Sequence, residues 1–283
     1  MIRRLLPLLP SLLAAQSGFE FREIQPGRHQ LSDGGATVFV YNASPQLANG
    51  APADKQRCCY LHPVHAPNSV IVTDDFPKDH WHHRGVFWAW PIADIDGRKY
   101  DPWLIQELRQ HCRNVKTSVE AGRAILSAEN EWRVDGRAVA TERVRVETEP
   151  VQARSRRLRF TLIFEAIASP ITLRGEPAEN KGYGGFNVRF APREGTVLTT
   201  SRGTETEDSN MAPLPWAQLE GRFGGRQAGL RIDIDPSNTG YPNGWCLRHY
   251  GFLGVNFPGL DTFQLQRERP LTLRYLITLT GKD

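Results

Sequence analysis

Ala124-Ile125-Leu126-Ser127-Ala128-Glu129-Asn130-Glu131-Trp132-Arg133-Val134, then Asp135-Gly136, then Ala138-Val139-Ala140-Thr141-Glu142-Arg143-Val144-Arg145-Val146-Glu147, is the stretch that decides the fold class. In its second half Val144 and Val146 alternate with Arg143 and Arg145. A period of two sends one face of a strand into a core and the other into water. Asp-Gly between two such runs supplies the positive φ angles of a tight hairpin. An antiparallel hairpin is therefore expected here.

The same punctuation recurs on either side. Asp96-Gly97, Glu194-Gly195 and Gly224-Gly225 each separate runs of strand character. Strands are expected over 37–41, 84–90, 157–166, 186–190, 227–234 and 271–279. In the last, Leu271, Leu273, Tyr275, Ile277 and Leu279 share one face, and Leu276 interrupts the polar face opposite. Helical signal is thin: Asp101-Pro102 can cap a short helix carrying Leu104 and Leu108. No linker or long repeat divides the chain. The expectation is an all-β fold, a large antiparallel β-sandwich, with residues 18–283 as a single domain. A chain of 283 residues can bury a substantial core without disulfides.

Residues 1–17 read differently. Arg3 and Arg4 precede an apolar run from Leu5 to Ala15, followed by Gln16-Ser17-Gly18, the pattern of a secretory signal peptide. The run falls short of the roughly 20 apolar residues of a spanning helix, so a secreted or periplasmic protein without a membrane span is expected. Losing Arg3 and Arg4 lowers the net charge from +4 to about +2. The other arginines mostly alternate with apolar residues, as in Arg157-Leu158-Arg159-Phe160, and nucleic acid, which calls for clustered charge, is not an expected partner. Cys58, Cys59, Cys112 and Cys246 admit two readings. One of the adjacent pair can bridge to Cys112 or Cys246 in an exported protein, or all four can be buried thiols.

Five of the eight histidines fall between His62 and His83. The stretch includes His62-Pro63-Val64-His65 and Asp79-His80-Trp81-His82-His83-Arg84-Gly85. Imidazole titrates near neutrality and ligates metals when neutral, so the cluster has two chemical readings. In the first, His80 and His82, two apart on an extended chain, face one divalent ion, with Asp79, His62 or His65 completing the shell. In the second, His80, His82 or His83 moves a proton while Asp79 orients the ring, and no cofactor is required. A third reading makes these rings hydrogen-bonding members of a proline-rich loop.

The flanking residues extend the site. On an extended chain from Arg84 to Trp90, Arg84, Val86, Trp88 and Trp90 share a face with His82. Tryptophan beside cationic and imidazole groups suits sugar rings, with their apolar faces and polar edges; Phe87, Trp88 and Trp90 are equally suited to a core. Glu179-Asn180-Lys181-Gly182-Tyr183-Gly184-Gly185 and Arg248-His249-Tyr250-Gly251 are candidates for the opposite wall.

The Asp79–Gly85 signature, with Phe87-Trp88-Ala89-Trp90, Lys181-Gly182-Tyr183-Gly184 and Trp245 through Arg248-His249-Tyr250-Gly251 to Asn256, resembles a family of exported bacterial proteins of unknown function. That family often carries a methane-oxygenase-subunit label. The label is rejected on physical grounds, because that subunit is embedded in a membrane and this chain has no second apolar stretch. The resemblance implies a fold similar to the supersandwich of galactose mutarotase-like proteins, which use histidine and a carboxylate on a concave sheet face; no individual role is carried over from them.

The resulting expectation is a carbohydrate-active enzyme performing acid–base chemistry on a sugar or glycoside, as epimerase, lyase or hydrolase. His80, His82, His83, Asp79, Glu179 and Lys181 are the candidate catalytic groups. His62, Arg84, Trp88, Tyr183, Arg248 and His249 are the candidate substrate-binding groups. A non-catalytic glycan-binding protein and a metal-dependent hydrolase or oxidase are the alternatives.

Overall fold

The alternation read at 124–147 runs through most of the chain. In a computed structural model describing residues 18–282 it yields two nine-stranded antiparallel sheets and one of four strands. The first sheet runs, in spatial order, Phe19–Gln25, Arg28–Asp33, Ala36–Asn42, Tyr60–Val64, Val86–Ala89, Gly185–Arg189, Phe252–Asn256, Gly244–Arg248 and Ser209–Asn210. The second runs Gly203–Glu205, Glu194–Thr200, Trp216–Phe223, Arg226–Ile234, Leu271–Gly281, Ser155–Ala166, Arg137–Thr148, Arg123–Val134 and Leu108–Glu120. Thr262–Leu265, Ile171–Arg174, Ile92–Ile95 and Arg98–Tyr100 make the small sheet. Two short 3-10 turns, Ala53–Lys55 and Ala178–Asn180, are the helical segments among the described residues. No helix among them is long and apolar enough to cross a membrane.

The core lies between the two large sheets. Val86, Trp88, Phe186, Val188, Leu253 and Val255 enter it from the first, and Leu158, Phe160, Leu162, Leu273 and Ile277 from the second. Phe186 stacks on Tyr275 across the gap, with ring centroids 4.3 Å apart. Full burial of a side chain of this kind stabilises by about 1.5–3 kcal/mol. A polar pin also crosses it. The buried Glu142 carboxylate accepts from Trp132 Nε1 at 2.7 Å, Asn130 Nδ2 at 2.7 Å and Gln110 Nε2 at 2.8 Å. The Tyr41 hydroxyl of the first sheet donates to Asn130 Oδ1 at 3.3 Å.

The expected hairpin is present. Strands Arg123–Val134 and Arg137–Thr148 pair through Asp135 (φ 48°) and Gly136 (φ 77°), the primed-turn geometry that Asp-Gly favours. Arg143 and Arg145 face solvent while Val144 and Val146 are buried. Three expectations are corrected. Glu194-Gly195 is not a hairpin turn but the bulged start of strand Glu194–Thr200, where the register slips between Glu194 and Val197. Residues 101–107 form turns and not a helix: Asp101 Oδ1 accepts from the Leu104 amide at 2.8 Å as a helix cap does, but Ile105 and Glu107 adopt positive φ and strand Leu108–Glu120 follows at once. The strand expected from Arg84 begins at Val86. All four cysteines are free, with Cys58 and Cys59 Sγ in contact at 3.3 Å. The export signal read at 1–17 lies outside the described residues.

Replacing Glu142 with Leu leaves the buried Trp132 Nε1 and the half-buried Gln110 Nε2 without this acceptor, while Asn130 Nδ2 keeps the Tyr41 hydroxyl at 3.1 Å. Urea denaturation is expected to show Glu142→Leu destabilised by about 1–3 kcal/mol; a stability equal to the parent's would contradict the role given to this carboxylate.

Candidate active site

Strand parity in the first sheet divides the side chains. While Trp88, Val188, Leu253 and Leu247 enter the core, their neighbours Phe87, Arg189, Phe252, Cys246 and Arg248 project from the opposite face. On that face Tyr60, Phe87, Ala89, Trp103, Cys246 and Phe252 form a second, smaller apolar cluster, with Leu104 and Tyr183 packed against it. Above it opens a cleft of about 260 Å³.

The histidine loop enters this cleft because it is not extended. Backbone bonds from His80 N to Pro77 O and from His83 N to His80 O curl residues 77–83 into successive turns. Gly85 then lies so close to the neighbouring strand that a Cβ there would stand 2.2 Å from the Leu61 carbonyl oxygen. The buried Arg84 closes the loop from beneath, donating to the carbonyls of Trp81 at 2.8 Å, His83 at 2.6 Å and Lys55. Its guanidinium lies 3.5 Å above the Phe76 ring and 3.5 Å from Asp75. Arg57, also buried, holds the facing segment by donating to the carbonyls of Pro102 and Trp103.

Four rings stack in a row: Tyr250 on His80 (5.4 Å, 13°), His80 on His83 (4.6 Å, 10°) and His83 on Phe252 (4.8 Å, 25°). His82 and Trp103 meet the His83 ring edge-on, both at 86°. Asp79 anchors the outer end, with Oδ2 2.9 Å from His80 Nδ1 and both oxygens 2.9 Å from Arg189 Nη2. The Arg189 guanidinium in turn lies 4.7 Å over the Tyr250 ring. Lys181, Tyr183 and Arg248 line the far wall.

Burial, reinforced by the neighbouring His80 and by Arg57, Arg84 and Lys55, pushes His82 down to about 3. Burial first, then His82, His80, Arg189 and Arg57, holds His83 well below the ordinary histidine value. Both rings are therefore neutral at neutral pH. Although partial burial opposes it, contact with His80 and Arg189 keeps the Asp79 carboxyl below its usual range. Burial pushes Asp75 up to about 7 despite Arg84 and the Tyr60 hydroxyl, which donates to it at 2.8 Å.

The structure brings together His80, His82, His83, Lys181, Tyr183 and Arg248, with Asp79 behind His80. Other expected members lie elsewhere. Trp88 is turned into the core, because Arg84 and His82 lie in turns that break the parity assumed to run from His82 to Trp90. Arg84 is fully occupied beneath the loop, 0% exposed. His62 pairs with Thr73 Oγ1 at 3.0 Å, outside the cleft lining. His249 is held by Asp208 and the Glu205 carbonyl behind the wall, and Glu179 points into solvent beside Lys181.

Nor do the imidazoles converge as ligands. His80 and His82 meet edge-on at 5.7 Å, and His80 and His83 lie parallel. Among the described residues no three His, Cys, Asp or Glu side chains are arranged to hold a metal ion. The sequence reading did not single out Trp103, Phe252, Arg189 and Tyr250. Tyr250 lay within a motif already noted, and the other three become visible only once strand parity and the 101–105 turn are known.

The chain belongs to the family described as "Family of unknown function (DUF6807)", whose model matches residues 28–283. No curated protein matches it. Solved structures similar to it include a candidate kojibiose phosphorylase from human microbiome, with 8% identity and a TM-score of 0.39 over 95% of this chain. The chain spans 30% of the length of that protein. A GalM/aldose epimerase homologue from C. elegans matches with 8% identity and a TM-score of 0.39, covering 94% of this chain and all of the other. A candidate mutarotase from Salmonella typhimurium matches with 10% identity and a TM-score of 0.38, covering 98% and 97%. No residue role is drawn from these likenesses.

The neutral His82 ring has a consequence for stability. An unfolded chain binds a proton at this position below about pH 6.5, whereas the folded chain resists it until about pH 3, so stability is lost as the pH falls through that window. Between pH 7 and pH 5 the parent is expected to lose about 2 kcal/mol more than His82→Leu in urea denaturation. Identical pH dependence in the two proteins would show that His82 is not held neutral.

Proposed function

We propose that this protein is an exported carbohydrate-active enzyme that takes a sugar or glycoside into the cleft and transfers a proton through His80. The observation that carries this reading is Asp79 Oδ2 at 2.9 Å from His80 Nδ1 on the wall of an aromatic cleft. A carboxylate at this distance favours the ring form with its proton on Nδ1, although the contact is off the line of a hydrogen bond, and Nε2 is left to take a proton from substrate or return one. His82, half-buried, and His83, buried on the floor, are neutral and serve as uncharged hydrogen-bonding partners for hydroxyl groups. Tyr183, half-buried on the cleft wall with the buried Trp103 packed behind it, offers a ring to the apolar side of a sugar. Proton transfer of this kind serves epimerisation, elimination or hydrolysis, and all three end in products that NMR separates.

The full mature chain, incubated with a panel of monosaccharides, glycosides and oligosaccharides, is expected to convert at least one of them. His80→Asn is expected to lower that rate by about 10²–10⁴-fold while leaving binding in place. Sugar binding without any product would favour the glycan-binding alternative. An unaltered rate in His80→Asn would remove His80 from the chemistry.

A further inference from the structure

The charge on the cleft wall narrows the ligand class. Two permanent cations, Lys181 and Arg248, line the cleft beside the three imidazoles, and no Asp or Glu is among the lining side chains. The nearest acids stand outside. Glu179, 77% exposed, touches Lys181 Nζ at 3.2 Å from the solvent side. Asp208 lies 3.9 Å from Arg248 and is committed to His249 at 2.9 Å, and Asp79 is bound to Arg189 and His80. Arg248 is 15% exposed, and the carbonyls of Ser209 and Leu247 and the amide oxygen of Asn210 set its head. It is thus held in place before any ligand arrives.

The floor supplies a second, independent observation. His83 is 2% exposed, lines the cleft, and its Nδ1 has no partner within the chain. Behind the lining stand the buried Arg57 and Arg84, whose charges also face this region. A neutral sugar satisfies hydroxyl-binding groups but adds nothing to the partial offset that Glu179, Asp208 and Asp75 give this positive field from outside the lining. A sugar carrying an anion compensates it, in a site partly withdrawn from water where screening is weak.

We propose that the ligand of this cleft is an acidic sugar, bearing a carboxylate, sulfate or phosphate group that seats between Lys181 and Arg248 while its ring lies against Tyr183. The inference rests on the sugar-binding reading given above and narrows it.

Calorimetry on the full mature chain with methyl glucuronide, methyl galacturonide, N-acetylglucosamine 6-sulfate and glucose 6-phosphate, each beside its neutral counterpart, separates the two levels. At least one acidic sugar is expected to bind roughly tenfold or more tighter than its neutral counterpart at low salt, with the advantage shrinking as salt is added. The arm that binds best identifies the anion. Lys181→Met and Arg248→Met are each expected to cut the acidic-to-neutral preference roughly tenfold, and Lys181, 34% exposed, is replaceable without disturbing the fold. Neutral sugars binding as tightly as acidic ones would overturn the acidic-ligand inference and leave the sugar reading standing. Absence of binding in every arm would overturn both.

Discussion

A strand turns successive side chains to opposite faces, and this period of two organises the molecule. In the central strands of the first sheet one set of residues, including Trp88, Val188, Leu253 and Leu247, is committed to the space between the sheets. The other set, with Phe87, Arg189, Phe252, Arg248 and Cys246, is thereby committed to the opposite face. Core and cleft are the two sides of the same four strands. Packing that fixes one fixes the other, because a slip of one residue in register would exchange the two sets.

On that platform the histidine loop is held by buried cations. Arg84 and Arg57 give their donors to main-chain carbonyls of the two segments that flank the cleft. Their second effect is electrostatic. Positive charge in a withdrawn site disfavours protonation of the imidazoles above it, so the groups that shape the loop also keep His82 and His83 neutral. The stack from Tyr250 through His80 and His83 to Phe252 ties this loop to the turn at 249–251 and to strand Phe252–Asn256. Asp79 and Arg189 close the outer end.

Much of the architecture was legible in the sequence, because hairpin chemistry and alternation are local. Asp135-Gly136, Asp96-Gly97 and Gly224-Gly225 all take the positive φ angles that their residue types favour. The clustering of His80, His82 and His83 was legible for the same reason, being a property of one short loop. Parity across Gly85 was not. Extending the strand back to Arg84 placed Trp88 with the histidines, whereas the turns at 77–83 reset the direction of every side chain before Val86. Arg84 shows the limit of reading by residue type. A guanidinium suits sugar oxygens and main-chain carbonyls equally, and only the fold reveals that this one is already occupied. Trp103, Arg189 and Phe252 reach the site from distant segments, and no local pattern announces such convergence.

The central physical claim is that the fold gathers a half-buried His82 and a buried His83 as neutral imidazoles beside a His80 that faces Asp79. Long-range ¹H–¹⁵N NMR of the histidine rings, followed from pH 8 to pH 5, tests it most directly. Nitrogen shifts of His82 and His83 that stay at neutral-imidazole values throughout are the predicted result. Titration of both rings near the ordinary histidine value of about 6.5 would mean that they stand in water, and would contradict the neutral cluster on which the cleft is built.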